Sequence, residues 1–371
     1  MFFLILFAIL LILAIGGSFY LVRAFHRFSF VQKIAEKHPK IAWMFSFVPI
    51  AILVIVGIFN VFTGIVSAIH LIIIWMLFDA VGFILRKITH SPRKHYYAGA
   101  FAMIFTILLM CYAWIVAHQV VETDYTLFTE KDLGQEKLRI VQIADAHLGV
   151  TLNGSEFAAE MKKINDLHPD LVTVVGDFVD DDTSREDMET AVKALGEISS
   201  SYGTFYVFGN HDKGYSQDSR DFTADDLCRT LEQNDIHVLK DEVFQISDCI
   251  SLIGRLDKSF FNRLPIAELA DNISPNQYSI VLDHQPNDYQ AEKDANVDLV
   301  LSGHTHGGQF FPCGPIGVLI GANDAFYGHH TNGQTDFIIT SGISAWSIPL
   351  KTGTVSEYVV IDLIHSKNIE S

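Results

Sequence analysis

Hydrophobic and polar positions divide the chain into two parts with different periods. Up to about residue 117 apolar side chains run almost without interruption, and four stretches reach the roughly 20 residues needed to cross a bilayer core: 2–22, 41–62, 64–85 and 97–117. These predict four apolar helices, the second and third joined by a hairpin turn at 60–64. The first stretch has no basic leader and is followed by further spans, so it reads as a retained helix rather than a cleaved signal. Beyond residue 137 the pattern changes to short β-type runs alternating with amphipathic ones. It predicts strands at 138–143, 171–175 and 204–208, and helices at 155–167 (opened by Ser155), 185–199 and 223–234. Short strands around Val238, Phe244 and Leu252 follow, expected to be antiparallel, then strands at 278–282, 297–301, 336–340 and 355–362. An α/β opening with a strand-rich continuation predicts the fold class α/β: two sheets packed face to face as a β-sandwich flanked by helices, preceded by an all-α four-helix transmembrane region. The polar stretch 118–137 reads as a linker, leaving 1–117 for the membrane and 138–371 for the second domain.

Charge sharpens this division. Residues 1–117 hold nine of the 26 Lys and Arg but only two of the 43 Asp and Glu, so the remainder is strongly acidic. Such a surface repels nucleic-acid backbones and excludes a general DNA or RNA binder. The basic residues cluster in two loops, Arg23, Arg27, Lys33, Lys37 and Lys40 after the first span, and Arg86, Lys87, Arg93 and Lys94 after the third. The positive-inside rule puts both loops in the cytoplasm and, with four spans, the second domain on the extracytoplasmic side of the cell membrane. Asp79, inside the third span, is expected to meet Arg86, Lys87 or a neighbouring helix rather than to relay protons. His70 is expected to serve helix packing. The four cysteines show no zinc-type spacing and read as buried or idle thiols, with one bridge among Cys228, Cys249 and Cys313 left open.

Chemistry gathers at the strand exits. The first predicted strand ends in Asp145-Ala146-His147, the second in Gly176-Asp177-Phe178-Val179-Asp180, and the third in Gly209-Asn210-His211-Asp212. Later strands end in Asp283-His284 and in Gly303-His304-Thr305-His306-Gly307-Gly308-Gln309. Singly each is a plausible polar turn. Five in register with five strands point instead to a shared metal site on one sheet edge.

This ordered series resembles the calcineurin-like metallophosphoesterase superfamily over about residues 138–363, and the Gly-Gly-Gln after the last His pair is similar to its membrane-associated or exported phosphodiesterase branch. The resemblance implies a dinuclear centre of two divalent ions. Asp145, His147, Asp177 and His306 would hold one; Asp177, Asn210, His284 and His304 the other, with Asp177 bridging and a metal-bridged hydroxide as nucleophile. Imidazole and oxygen donors suit Mn, Fe or Zn better than Ca. His211 is assigned to protonating the leaving oxygen, and Asp212 to orienting that ring. Asp180 is balanced between supporting a ligand and being a solvated loop acid. His329 and His330 fall outside the series and read as surface. Arg255, Gln309 and Phe310, with Phe311 and Phe260-Phe261, are the candidates for substrate contact, Arg255 on phosphate and the Phe pairs on acyl chains. The plainer alternative for them is a salt bridge and core packing.

The expectation is therefore a membrane-anchored metal-dependent phosphoesterase acting on a phosphodiester or pyrophosphate, with a lipid-linked substrate as the economical choice. The alternatives are a cytoplasmic-facing pyrophosphatase of nucleotide-linked lipids and a non-catalytic sensor or scaffold that binds a phosphorylated ligand.

Overall fold

The computed structural model describes residues 2–90, 96–214 and 220–366, with side chains from residue 12 onward. Its contacts form two units, Met1–Trp114 and Ile115–Ser371.

Unit 1 is built of helices α1 (Phe2–His26), α2 (Ser29–Lys37), α3 (Pro39–Ser46), α4 (Val48–Phe59), α5 (Val61–Thr89) and most of α6 (Tyr97–His118). Among the described residues three stretches are long and apolar enough to cross a membrane: Pro39–Phe59, Val61–Thr89 and Tyr97–His118. The expected first span falls partly on 2–11, whose side chains lie outside the described residues; the rest of it is the shorter apolar helix Ile12–His26. Arg93 and Lys94 also lie outside the described residues. Leu21, Ala24, Ala42, Leu71, Trp75 and Ala102 pack inward. Asp79 accepts hydrogen bonds from the hydroxyls of Tyr20 at 2.6 Å and Tyr96 at 2.7 Å, and pairs with Arg27. Of the expected partners the neighbouring helix is the one found, through Tyr20 of α1, while Arg86 and Lys87 lie two turns further along the same helix, roughly 10 Å away in rise, and Arg27 comes from another segment. Three donors on one carboxylate make a lock between segments. His70 hydrogen-bonds the Val66 carbonyl of its own helix at 2.9 Å.

Unit 2 begins with the last turn of α6. Its first sheet has the order β1 (Val120–Thr129), β12 (Ser356–His365), β2 (Lys137–Ile143), β3 (Leu171–Val175), β4 (Thr204–Val207), β5 (Ile236–Leu239). The second has the order β10 (Gly328–Asn332), β11 (Thr335–Ile339), β9 (Leu299–Ser302), β8 (Tyr278–Leu282), β7 (Ile250–Gly254), β6 (Glu242–Gln245). Strands β2 to β5 are mutually parallel, and so are β7, β8, β9 and β11. Helices α7 (Gly154–Asn165), α8 (Arg185–Gly196) and α9 (Ala224–Gln233) cover the outside of the first sheet, and α10 (Ile266–Ala270) and α11 (Tyr289–Asp294) pack on the second. A short α12 (Cys313–Leu319) lies in the segment after β9.

Two-residue alternation explains the sandwich. In β2, Leu138 and Ile140 face the other sheet, while Val141 and Ile143 face the helices; in β12, Ile361 and Leu363 oppose Tyr358 and Val360 in the same way. Both faces are covered, which is why these strands read as nearly continuous apolar runs. Three expectations are corrected. Residues 118–137 are not a linker, because 120–129 form edge strand β1, paired in parallel with β12 along its whole length. An edge strand half open to solvent lacks the apolar alternation that marks its neighbours. The strand around Val238 is parallel to β4, and of the three short strands only β6 and β7, around Phe244 and Leu252, pair antiparallel. Helix α7 is capped by Asn153, with Glu156 completing a capping box, rather than by Ser155.

Candidate metal centre

The strand exits named in the sequence converge. Strands β2, β3 and β4 leave the first sheet, and β8 and β9 the second, so that three overlapping groups form among the described residues: Asp145, His147 and His306; Asp177, His284 and His304; and His147, Asp180 and His211. His147 Nε2 and His306 Nε2 are 3.2 Å apart, and His306 Nε2 is 3.5 Å from an Asp145 oxygen. Asp177 stands between the first two groups, its Oδ2 3.0 Å from His284 Nε2 and 3.8 Å from His147 Nε2. The Asn210 side chain is buried at the exit of β4. His284 Nδ1 donates to the Val175 carbonyl at 2.8 Å, which leaves Nε2 turned toward Asp177.

Local backbone makes this crowding feasible. Asp145, His147, Asp177, His304 and His306 all have left-handed φ, between 36° and 69°. Non-glycine residues take that region at a cost, and such residues cluster where function requires it. Glycines admit the carboxylates: a Cβ at Gly209 would fall 2.2 Å from an Asp177 oxygen, and one at Gly303 would fall 2.3 Å from an Asp145 oxygen. Gly209→Ala is therefore expected to weaken metal binding about 10- to 100-fold while the fold persists. Calorimetric titration with Mn or Zn checks this, and wild-type affinity would contradict it.

The protonation states suit cations. Burial works against an ionised Asp177, yet the imidazoles of His284 and His147 overcome it and hold its carboxyl well below the usual range. Asp145 goes the other way, pushed up to about 6 by burial and by the charge of Asp177. Burial and the charge of His284 lower His304 to about 4, and burial with His147 takes His306 well below its ordinary value. Neutral imidazoles at 304 and 306 keep the lone pair that a metal needs, whereas at His284 the charge of Asp177 outweighs burial and raises the imidazole well above its ordinary value, so that a cation there would displace a proton. Buried carboxylates crowded against imidazoles with their nitrogens turned inward fit a divalent-cation site in donor type and in arrangement.

The orienting role expected of Asp212 falls to Asp180, for which a supporting role and a solvated one had both been open. Asp212 does not orient His211. Its Oδ2 accepts the backbone N–H of Asp177 at 2.9 Å and of Gly209 at 2.8 Å, and its Oδ1 those of Phe178 and Val179. It ties the exits of β3 and β4 together. Asp180 instead bridges two imidazoles, 2.9 Å from His211 Nδ1 and 3.1 Å from His147 Nδ1. Burial opposes its ionisation, but these two hydrogen bonds hold its carboxyl well below the usual range. For His211 burial is likewise outweighed, by Asp180 and then Asp177, and its imidazole is raised above the ordinary value. Asp180→Asn is expected to lower kcat roughly 10- to 100-fold. Asp212→Asn is expected to lower thermal stability and metal affinity together. Melting curves beside steady-state kinetics separate the two, and identical behaviour of the variants would contradict the distinction.

The substrate candidates are placed elsewhere in function. Arg255 is 2% exposed and its guanidinium is engaged by Asp283, Asp288 and Glu292. It is a buried ion-pair centre, not a phosphate contact. Gln309 is also buried: its amide donates to the carbonyls of Trp346, Ile348 and Leu350 and accepts from the Trp346 N–H, clamping segment 341–355 to the ligand loop. Phe310 is half-buried and Phe311 exposed. His329 and His330 are exposed on β10. Trp346, with its ring 5.7 Å from that of His211, was not anticipated. It lies some 40 residues past the last His motif, and the Gln309 clamp, with the bonds of Ile343 to Ala144 and of Ser344 and Ala345 to Thr151, brings it back.

Comparison with known proteins agrees with this geometry. The family model for calcineurin-like phosphoesterases matches residues 138–308. An uncharacterized metallophosphoesterase of Campylobacter jejuni is 31% identical over 233 residues, 62% of this chain and 60% of that one. The transmembrane protein with metallophosphoesterase domain of Bos taurus is 30% identical over 59% of this chain and 51% of its own. The chain thus spans only about half to three-fifths of the length of these two relatives. Metallophosphoesterase YkoQ of Bacillus subtilis is 31% identical over 60% of this chain and 82% of its own. The chain belongs to the calcineurin-like metallophosphoesterases, a family of metal-dependent phosphoester hydrolases, and joins that domain to an apolar, membrane-associated helical region.

Proposed function

We propose that unit 2 hydrolyses a phosphodiester or pyrophosphate with two divalent cations, at a membrane surface on the extracytoplasmic side. The observation that carries the reading is Asp177, a buried carboxylate shared between the His147 and His284 sides of the site. Asp145, His147 and His306 would hold one cation, and His284, His304 and Asn210 the other, with Asp177 common to both. When bound, such a pair supplies an activated water and positive charge for the phosphoryl oxygens.

The remaining work falls to the chain itself. His211 is 13% exposed, so its ring reaches the site opening while Nδ1 stays fixed on Asp180. With Nδ1 so held, Nε2 is the atom that delivers a proton to the leaving oxygen. The raised imidazole pKa favours the protonated form this step needs. Asp212 keeps the loops of β3 and β4 in register, so that Asp177 and His211 move as one piece. The Asp177 Oδ1 acceptor for the His211 N–H, at 2.7 Å, adds a second tie. Orientation rests on the two basic loops and on a first span at 2–22.

The test is turnover of a bis-aryl phosphate and of an aryl phosphate monoester by the full chain in detergent with Mn or Zn, beside His211→Ala. Faster diester turnover is expected, with kcat in the variant lower by roughly 10²- to 10⁴-fold and metal binding retained. A folded, metal-loaded protein that turns over neither ester would overturn the catalytic reading in favour of a sensor.

A further inference from the structure

Exposed apolar side chains of unit 2 are unevenly placed. Among the described residues the large ones beyond α6 are Phe128, Phe261, Leu264, Phe311, Ile316, Val318, Leu319, Ile320 and Trp346. All but Phe128 lie on the three segments that follow β7, β9 and β11. Those strands are parallel with β8, so all three segments leave the second sheet at the edge where His284, His304 and His306 stand. Several are extreme: Phe261 is fully exposed, Leu319 is 85% exposed and Phe311 is 70% exposed. Single exposed apolar residues need no explanation, but a collection on one edge marks a surface for another apolar phase.

A second observation says which phase. Strand β1 runs parallel to β12, with Val120 opposite Ser356, and β12 runs antiparallel to β2. Val120 therefore sits beyond the C-terminal end of β2, on the edge that carries Asp145. One residue, Gln119, separates it from the end of α6 at His118. The buried Ser356 hydroxyl donates to the Ala117 carbonyl at 2.8 Å and fixes that junction. The chain thus enters unit 2 at the edge that carries the ligand residues, directly after a helix long and apolar enough to cross a membrane.

We infer that this edge is a bilayer-seating surface. Phe261, Phe311, Leu319, Ile320 and Trp346 enter the headgroup and upper acyl region, as apolar faces of interfacial proteins do. The metal centre then opens onto the headgroup layer, and its substrate is a phosphoester carried by a lipid. That last step rests on the phosphoesterase reading; the seating does not.

The experiment uses the full chain with its native cysteines replaced, reconstituted into vesicles of phosphatidylcholine and phosphatidylglycerol. Nitroxide labels are placed at Leu319→Cys, at Phe311→Cys and, as a control, at Gln334→Cys, in the β10–β11 turn on the opposite edge. Power saturation is read with oxygen and with an aqueous nickel chelate. The expected result is oxygen access exceeding nickel access at 311 and 319, and the reverse at 334. Nickel access at 311 and 319 equal to that at 334 would overturn the inference. So would exclusion of both reagents there, which would mean that a protein or a second copy covers the edge. Metal-dependent turnover of a soluble aryl diester by the unlabelled chain is a separate readout, so failure of the catalytic reading is distinguishable from failure of the seating.

Discussion

Asp177→Ala is expected to reduce turnover by at least about a thousandfold while the protein remains folded. The residue is 2% exposed and lies within 4 Å of imidazoles on both sides of the site. On the proposed dinuclear reading, its removal takes away the carboxylate common to both cations. The fold should survive, because the exits of β3 and β4 are still joined through the four backbone N–H groups held by Asp212. What is lost structurally is one hydrogen bond to the His211 N–H and the partner of His284, about 1–3 kcal/mol. Kinetics, metal content and far-UV circular dichroism on the same preparation check all three points. Retained turnover, or an unfolded variant, would contradict the account.

The largest effect on stability is expected at Arg255. Arg255→Met keeps the volume and removes a buried guanidinium whose Nη1 lies 2.8 Å from Asp283 and Asp288 and 3.3 Å from Glu292. Asp283 and Glu292 are each only 1% exposed, and among the described residues Arg263 is the cation left facing Asp283. Breaking a buried charge network from one side costs about 3–5 kcal/mol. Glu292 gives the loss a pH signature. Burial and the charge of Asp283 already raise its pKa well above the ordinary value, and Arg255 is the group that opposes this. In the variant the folded state binds that proton more tightly still. A group with a raised folded pKa contributes stability that is present at low pH and is lost as pH rises. The deficit should therefore be smaller near pH 5 than near pH 8. Because Asp283 precedes His284, metal affinity should fall with stability. Denaturant melts at the two pH values check this, and an equal or reversed deficit would contradict it.

Much of the site was legible because its residues terminate buried strands. A buried run ending in Asp-Ala-His or Gly-His-Thr-His can be located by the apolar pattern alone, and parallel strands deliver their C-terminal ends to one edge. The sandwich was legible for the same reason, since β2, β3 and β12 have both faces covered. Strand β1 was not, because its open face carries Glu122, Asp124 and Thr126 and resembles a tether. The orienting of His211 was assigned to Asp212, and Asp180 was left undecided, because adjacency in sequence is a poor guide at a turn. Asp212 follows His211 directly, yet its side chain points back under the β3 loop, while Asp180, 31 residues away, meets the imidazole. Arg255 and Gln309 look like ligand-binding residues in isolation. Only the fold shows the acids around the first and the three carbonyls around the second. Asp79 was recognised as costly in a span, but its partner Arg27 lies 52 residues away and no local pattern announces it.

The most direct test of a dinuclear hydrolytic centre is to strip the full chain of metal with chelator and titrate Mn or Zn back while following both bound metal and hydrolysis of a soluble aryl phosphodiester. The account predicts no turnover in the stripped protein, and a rise that saturates as the second equivalent binds. Full turnover without metal, or saturation at one equivalent with Asp177→Ala equally active, would contradict it.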